Sequence, residues 1–268
     1  MKFKGNNALL MLKELKIICL GIFCCLIFHG QLYAQTLRIA VAANAQGVIK
    51  KLQADFKKRT GIETEAIIGA SGKLTAQIMN GAPYDVFLSA DTEFPEKLFA
   101  AGFGLKKPKI YALGSLIICG NIRGDISNWK KLIISDQAKK VAIANPKTAP
   151  YGKAAEEALR FYSLMDQVKS RLVYGESISQ VNTYLQTGTV SIGFTTEAFL
   201  YENNNKSLKW ARIDKESYDE IAQGAILLAY AKKGKLTAAS KFFDYLSTDA
   251  ARKIISSSGY HVPLNPKK

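Results

Sequence analysis

From Leu37 onward the chain alternates between two hydrophobic rhythms. Short apolar runs read as buried strands: "LRIAVA" at 37–42, "DVFLSA" at 85–90, "SLIICG" at 115–120 and "VAIAN" at 141–145. Between them lie stretches with helical spacing. In residues 45–60, Val48, Leu52 and Phe56 share one face while lysines take the other, and Gly61 ends the pattern. Residues 63–68 read as a second strand and 73–80 as a helix stopped by Gly81. "TEFPEKLFAAG" predicts a helix interrupted near its start by Pro95 and ended by Gly102. The second half continues in the same style. "YGKAAEEALRFY" is a helix, "RLVYG" a strand, "SISQVNTYLQTG" a helix and "VSIGFTT" a strand. "YDEIAQGAILLAYAKKG" holds a long apolar strand, and the segment from "LTAASKFF" to "SSSGY" closes the chain as one helix or two.

Strands and helices in alternation, with short connections, predict an α/β protein with parallel sheets. Ligands of such sheets lie beyond the carboxyl ends of the strands, where helices begin. The strand-to-helix turns are "AANAQ", "GASGKL", "SADTEF", "ANPKTAPYGKA", "GESISQ" and "GFTTEAF". Most place small or hydroxyl residues at a helix start. None holds a histidine, and their acids are Asp91, Glu176 and Glu197.

"IIGASGKLTAQI" looks like a phosphate loop, but its spacing rejects that reading. A nucleotide P-loop needs a longer interval between its glycines and a hydroxyl after the lysine. Here Gly69 and Gly72 are too close, and Leu74 follows Lys73. What remains is a turn delivering Ser71 and free N–H groups to a helix start. Ser71 either caps that helix or donates to an anion, and these residues alone favour capping.

The N-terminal segment stands apart from this pattern. Lys2, Lys4, Lys13 and Lys16 precede the apolar run "IICLGIFCCLIF", and "QLYAQT" follows with a cleavage point after Ala34. The order is that of a secretory signal peptide at 1–34, and the run is short for a membrane span. Met1 and Met11 are both possible starts. Cys19, Cys24 and Cys25 fall in this segment, which leaves Cys119 alone, with no intramolecular disulfide. About 234 residues remain, enough for one large or two small domains.

Net charge is +15, or about +12 without the leader. The lysines are scattered over helix faces and loop tips and do not interleave with aromatics, so nucleic-acid binding is not expected. Enzymatic chemistry is poorly provided for. The only histidine beyond the leader is His261, Cys119 lies inside an apolar strand, and no Cys/His cluster has metal spacing. Hydroxyls and N–H groups without reacting side chains suit an oxyanion receptor, which surrounds its guest with fixed dipoles.

The blocks "AVAANAQGVIKKLQADFKKRTGIE", "GASGKLTAQIMNGAPYDVFLSAD", "ANPKTAPYGKAAEEAL", "GESISQVNTYLQTGTVSIGF" and "FFDYLSTDAARKIISSSGY" together resemble the ModA family of periplasmic molybdate-binding proteins of ABC transporters. The resemblance runs in order from about Leu37 to the end of the chain. It implies a type II-like two-lobed periplasmic binding protein. Each lobe would be a mainly parallel sheet flanked by helices, with a two-strand hinge and the ligand cleft between them. Residues 36–114 and 222–268 would form the first lobe and 115–221 the second. The implied guest is molybdate or tungstate, with no cofactor, and the implied partner is a membrane permease. The protein would be a periplasmic monomer and not an enzyme.

Position by position, the resemblance implies ligand contacts from Asn44 and Ser71 on the first lobe. On the second it implies the backbone N–H groups of Tyr151 and Ile178. Where some relatives add a tyrosine hydroxyl, this chain reads "GFTT". The remaining contact would then fall to Thr196, to Thr195 or to the Tyr151 side chain. Lys73 reads as a surface residue. Rival readings are a receptor for sulfate, phosphate or ferric iron, a secreted hydrolase using Cys119 or Ser71, and a cytoplasmic sensor domain.

Overall fold

The computed structural model describes residues 36–202 and 207–263. The expected leader, with Cys19, Cys24 and Cys25, lies outside the described residues. The strands are β1 (Leu37–Ala42), β2 (Thr64–Gly69), β3 (Val86–Leu88), β4 (Lys109–Gly114), β5 (Leu116–Gly120), β6 (Val141–Ala144), β7 (Leu172–Gly175), β8 (Ile192–Thr196), β9 (Lys209–Arg212) and β10 (Ile221–Leu227). The helices are α1 (Gln46–Thr60), α2 (Ser71–Met79), α3 (Glu93–Ala100), α4 (Trp129–Leu132), α5 (Pro150–Phe161), α6 (Met165–Val168), α7 (Ile178–Gln186), α8 (Ala198–Glu202), α9 (Leu236–Tyr245) and α10 (Asp249–Ser256).

Among the described residues the strands form two five-stranded sheets, ordered β2-β1-β3-β10-β4 and β7-β6-β8-β5-β9. Both are mixed. In the first, β2, β1 and β3 are parallel, and β10 is inserted antiparallel between β3 and β4. In the second, β7, β6 and β8 are parallel, and β5 lies antiparallel between β8 and β9. The periodicity shows strands without their direction, so the antiparallel insertions are an addition to the sequence reading. The chain changes sheet twice. Ser115 alone separates β4 from β5, and residues 213–220 lead from β9 back to β10.

Both faces of the first sheet are covered, as its near-continuous apolar strands require. Leu37, Ile39 and Val41 of β1 enter one cluster with Val48, Phe56, Phe242 and Ile255. Ala40, between them, joins Leu74, Phe87, Leu98 and Ile226 on the other face. Phe56 meets Phe242 edge-on at 5.1 Å and Tyr245 at 5.3 Å, fastening α1 to α9. The core of the second sheet gathers Ile143, Leu159, Val181 and Phe194. It also takes in Ala42, Ala43 and Ala90, which stand at strand ends of the first sheet.

Two local expectations change, and the closing segment, expected as one helix or two, is resolved. Helix α3 runs unbroken through Pro95, because Pro95 lies in its first turn, where an N–H has no intrahelical partner to lose. The closing segment is two helices: Thr248 caps α10 by accepting from Ala251 N at 3.3 Å. Strands β4 and β9 had no counterpart in the pattern.

The α1–α9 junction carries a direct test. Phe56 is fully buried, so Phe56→Ala should destabilise the fold by about 3–5 kcal/mol, read from urea unfolding midpoints.

Candidate anion site

The register of the parallel strands places their carboxyl ends together. Ala42 of β1 pairs with Gly69 of β2, and Val41 with Leu88 of β3. In the second sheet Ala144 pairs with Gly175. A helical segment begins just beyond four of these ends: a short turn at Ala43–Ala45 ahead of α1, then α2, α5 and α7. Their starts meet at one small cavity of about 200 Å³, its mouth included, lined by Asn44, Ser71, Tyr151, Ile178, Pro150 and five alanines. The two sheets contribute from opposite sides.

Each predicted residue can now be placed. Ser71 is 1 % exposed and is the first residue of α2, whose N-cap is Ala70. The hydroxyl of Ser71 does not cap that helix. Its oxygen accepts from Ala90 N at 3.1 Å, which leaves its hydrogen available to the cavity. Tyr151 follows Pro150 in the first turn of α5, and Ile178 opens α7. The N–H groups of Ser71, Tyr151 and Ile178 therefore have no intrahelical acceptor. Pro150 has no N–H at all, so Tyr151 is the first donor of its helix.

Asn44 lines the cavity, but its amide is already committed. Its Nδ2 donates to Gln223 Oε1 at 2.8 Å and to Tyr260 Oη at 3.2 Å. Tyr260 Oη in turn donates to the Asn44 carbonyl at 2.6 Å. In this arrangement Asn44 offers a guest its backbone N–H at the head of a helical turn rather than its side-chain amide. Gln223 is fully buried, and its Oε1 also accepts from Tyr111 Oη at 3.0 Å. Burial raises the Tyr111, Tyr151 and Tyr260 phenols, so all three stay neutral. The sequence reading missed Gln223 and Tyr260. A glutamine inside the apolar run "EIAQGAILLAY" was the available signal.

Thr196 lies behind the cavity and does not line it. Its Oγ1 donates to Tyr151 Oη at 3.1 Å and accepts from Ala198 N at 3.2 Å. Thr195 is buried, with its hydroxyl on Asn182. Of the three residues named for the last contact, only Tyr151 is among those lining the cavity, and its phenol is turned toward Thr196 and Gly114.

Among the described residues no charged side chain lines the cavity. A neighbouring cleft of about 580 Å³ shares Ala90 and Pro150 with it but is acidic, lined by Asp91, Glu93, Glu157, Asp219 and Glu220 with Lys153. Burial pushes the Asp91 carboxyl up to about 6, against the opposing hydrogen bonds from Ser89 and Phe94. A third cavity, of about 630 Å³ beside Leu113, Tyr218 and His261, lies where the chain changes sheet. It is larger, but no helix starts converge on it. Lys73 is half-exposed, and its ammonium meets Glu176 across the gap between α2 and the turn before α7. Beside it Gly72 N donates to Thr148 O at 2.9 Å. That approach needs a glycine, since a Cβ there would stand 3.0 Å from Thr148 Cα.

The arrangement turns N–H and O–H hydrogens toward the cavity, and among the described residues no histidine, cysteine, lysine or carboxylate lines it. Cys119 is fully buried in β5, and burial pushes its thiol up to about 12. Among the described residues no group of histidine, cysteine, aspartate and glutamate is placed to hold a metal ion.

Two mixed sheets exchanging strands around a ligand cavity define the class of two-lobed solute-binding proteins. The chain matches the family described as bacterial extracellular solute-binding protein over residues 37–261. It is 34% identical over 230 residues to the molybdate-binding protein ModA of Azotobacter vinelandii, covering 85% of this chain and 90% of that one. Against ModA of Rhodobacter capsulatus it is 34% identical over 223 residues, covering 82% and 86%. The solved structure of the Azotobacter vinelandii periplasmic molybdate-binding protein superimposes with a TM-score of 0.79 at 31% identity, covering 85% of this chain and all of that one. The chain belongs to this family of solute-binding proteins, among the ModA proteins.

Buried neutral Cys119 should not react with iodoacetamide at pH 8 in the folded protein and should react once the protein is unfolded in urea. Peptide mapping of the label reads this directly. Rapid native labelling at Cys119 would reopen a thiol chemistry.

Proposed function

We propose that the protein captures molybdate, and tungstate with it, and hands the anion to the membrane permease of an ABC transporter. The observation that supports this most is the meeting of several helix starts and the Ser71 hydroxyl at one cavity free of charged side chains. Each helix start contributes about 0.3–1 kcal/mol toward an anion, and up to about 2 in partly buried geometry. Together the donors replace the water that a dianion loses on entry. Asn44 and Ser71 act from the first lobe, and Tyr151 and Ile178 from the second. Thr196 supports Tyr151 from behind.

In this reading, residues 36–114 and 222–268 move against 115–221 about the two chain crossings, and closure buries the guest. The leader at 1–34 directs the chain to the periplasm, where it works as a monomer. It binds no nucleic acid, needs no cofactor and catalyses no reaction. Phosphate fits less well as a guest. At neutral pH it carries a proton that wants an acceptor, and the lining offers no carboxylate. Sulfate is the smaller tetrahedron and leaves donors out of reach.

Calorimetry with molybdate, tungstate, sulfate and phosphate tests the reading. Molybdate and tungstate should bind at least tenfold tighter than the others, a gap of about 1.4 kcal/mol or more. Equal affinity for molybdate and sulfate would defeat selection by size. Ser71→Ala should weaken molybdate by about 1.5–3 kcal/mol, the worth of a hydrogen bond to a charged group. Undiminished affinity would remove Ser71 from the site.

A further inference from the structure

Gly114 ends β4 where the chain leaves the first sheet. A Cβ on this residue would stand 2.0 Å from Tyr151 Oη, 3.0 Å from Tyr151 Cζ and 3.1 Å from Gln223 Nε2. Neither neighbour has room to retreat, since Tyr151 is 1 % exposed and Gln223 is fully buried. The tip of Tyr151, which comes from the helix of the second sheet, therefore occupies a notch in the first. The notch exists because residue 114 has no side chain. Its inner wall is the polar group that holds Asn44, through Gln223 Oε1 and Tyr260 Oη. Among the described residues Gln223 Nε2 has no hydrogen-bond partner. The Tyr151 hydroxyl accepts from Thr196 and keeps its own hydrogen to give.

We propose that Gly114 and Gln223 are positioning residues for anion binding, acting through Tyr151 and Asn44 without touching the guest. The argument rests on the molybdate reading of the cavity. Tyr151 joins both ends of the device: its backbone N–H faces the guest, and its phenol fills the notch. Seating the phenol sets the first turn of α5 at its distance from the Ala43–Ala45 turn. Gln223 fixes the other side by holding Asn44. A block in the notch acts on the closed arrangement and spares any open one, so it subtracts from affinity rather than from folding.

The test uses wild type, Gly114→Ala, Gly114→Ala with Tyr151→Phe, and Gln223→Met. Each is titrated with sodium molybdate by calorimetry, followed by X-ray scattering with and without molybdate, and melted without ligand. Gly114→Ala should weaken molybdate tenfold or more and reduce the contraction on binding, while its ligand-free melting stays near wild type. Adding Tyr151→Phe removes the atom nearest the new methyl and should recover part of the lost affinity. Gln223→Met should weaken molybdate severalfold and decides the matter if Gly114→Ala does not fold. The proposal is overturned if the variants bind and contract as wild type does. It is also overturned if Gly114→Ala lowers ligand-free melting and the double variant recovers nothing, the mark of a packing role. Wild type that ignores molybdate sinks the functional reading and this one with it. Wild type that binds while both Gly114→Ala and Gln223→Met are indifferent sinks this one alone.

Discussion

The molecule is organised around hydrogens that its own helices cannot use. The first turn of any helix leaves N–H groups without acceptors, and they must be solvated or find a partner. Here such turns, opening at Ala43, Ser71, Pro150 and Ile178, share one cavity. Parallel pairing is what brings them together, because it fixes the strand ends in common register. Alanines at 42, 43, 70, 90 and 149 let the turns approach without filling the space. A lysine at the same place would hold any anion. In the proposed reading, neutral dipoles at fixed positions instead favour a guest whose oxygens match them.

Several small contacts join segments of the first sheet to those of the second. Gly72 N reaches Thr148 O, Lys73 meets Glu176, and Gly47 N donates to Glu202 Oε1 at 3.0 Å. The Lys73–Glu176 pair is half-exposed, and pairs of that kind contribute about 0–1 kcal/mol. In the proposed reading, contacts this weak leave the balance between open and closed forms to the guest. The acidic cleft next door adds a negative field beside the cavity.

Much of this was legible in the chain. "LRIAVA" forms β1 residue for residue, because β-branched and aliphatic side chains feed both faces of a covered sheet. The family resemblance pointed to Asn44, Ser71, Tyr151 and Ile178, each in a strand-to-helix turn, and all four line one cavity. What stayed hidden depends on partners far away in sequence. Whether a strand runs parallel or antiparallel is decided by its neighbour, so the insertion of β10 and β5 left no periodic trace. Strand β9, "KWAR", lies at a sheet edge with exposed lysine and tryptophan and lacks an apolar run. The Asn44 amide could be assigned to a guest only while Gln223, 179 positions away, was out of view. Thr196 had the right chemistry, but its hydroxyl is taken up by Tyr151.

The order of strands in the two sheets also differs in a way that matters to a growing chain. The second sheet is built from one uninterrupted stretch, β5 through β9, so it is complete in sequence by Arg212. The first sheet is not: β4 pairs there with β10, and through Leu113 with His261, and both partners are among the last segments to emerge. During synthesis the later-starting half can therefore close first, while the earlier half waits with an unpaired strand. Until residue 227 has emerged, the edges of β3 and β4 that β10 will cover stay unpaired, and unpaired edges of this kind invite aggregation.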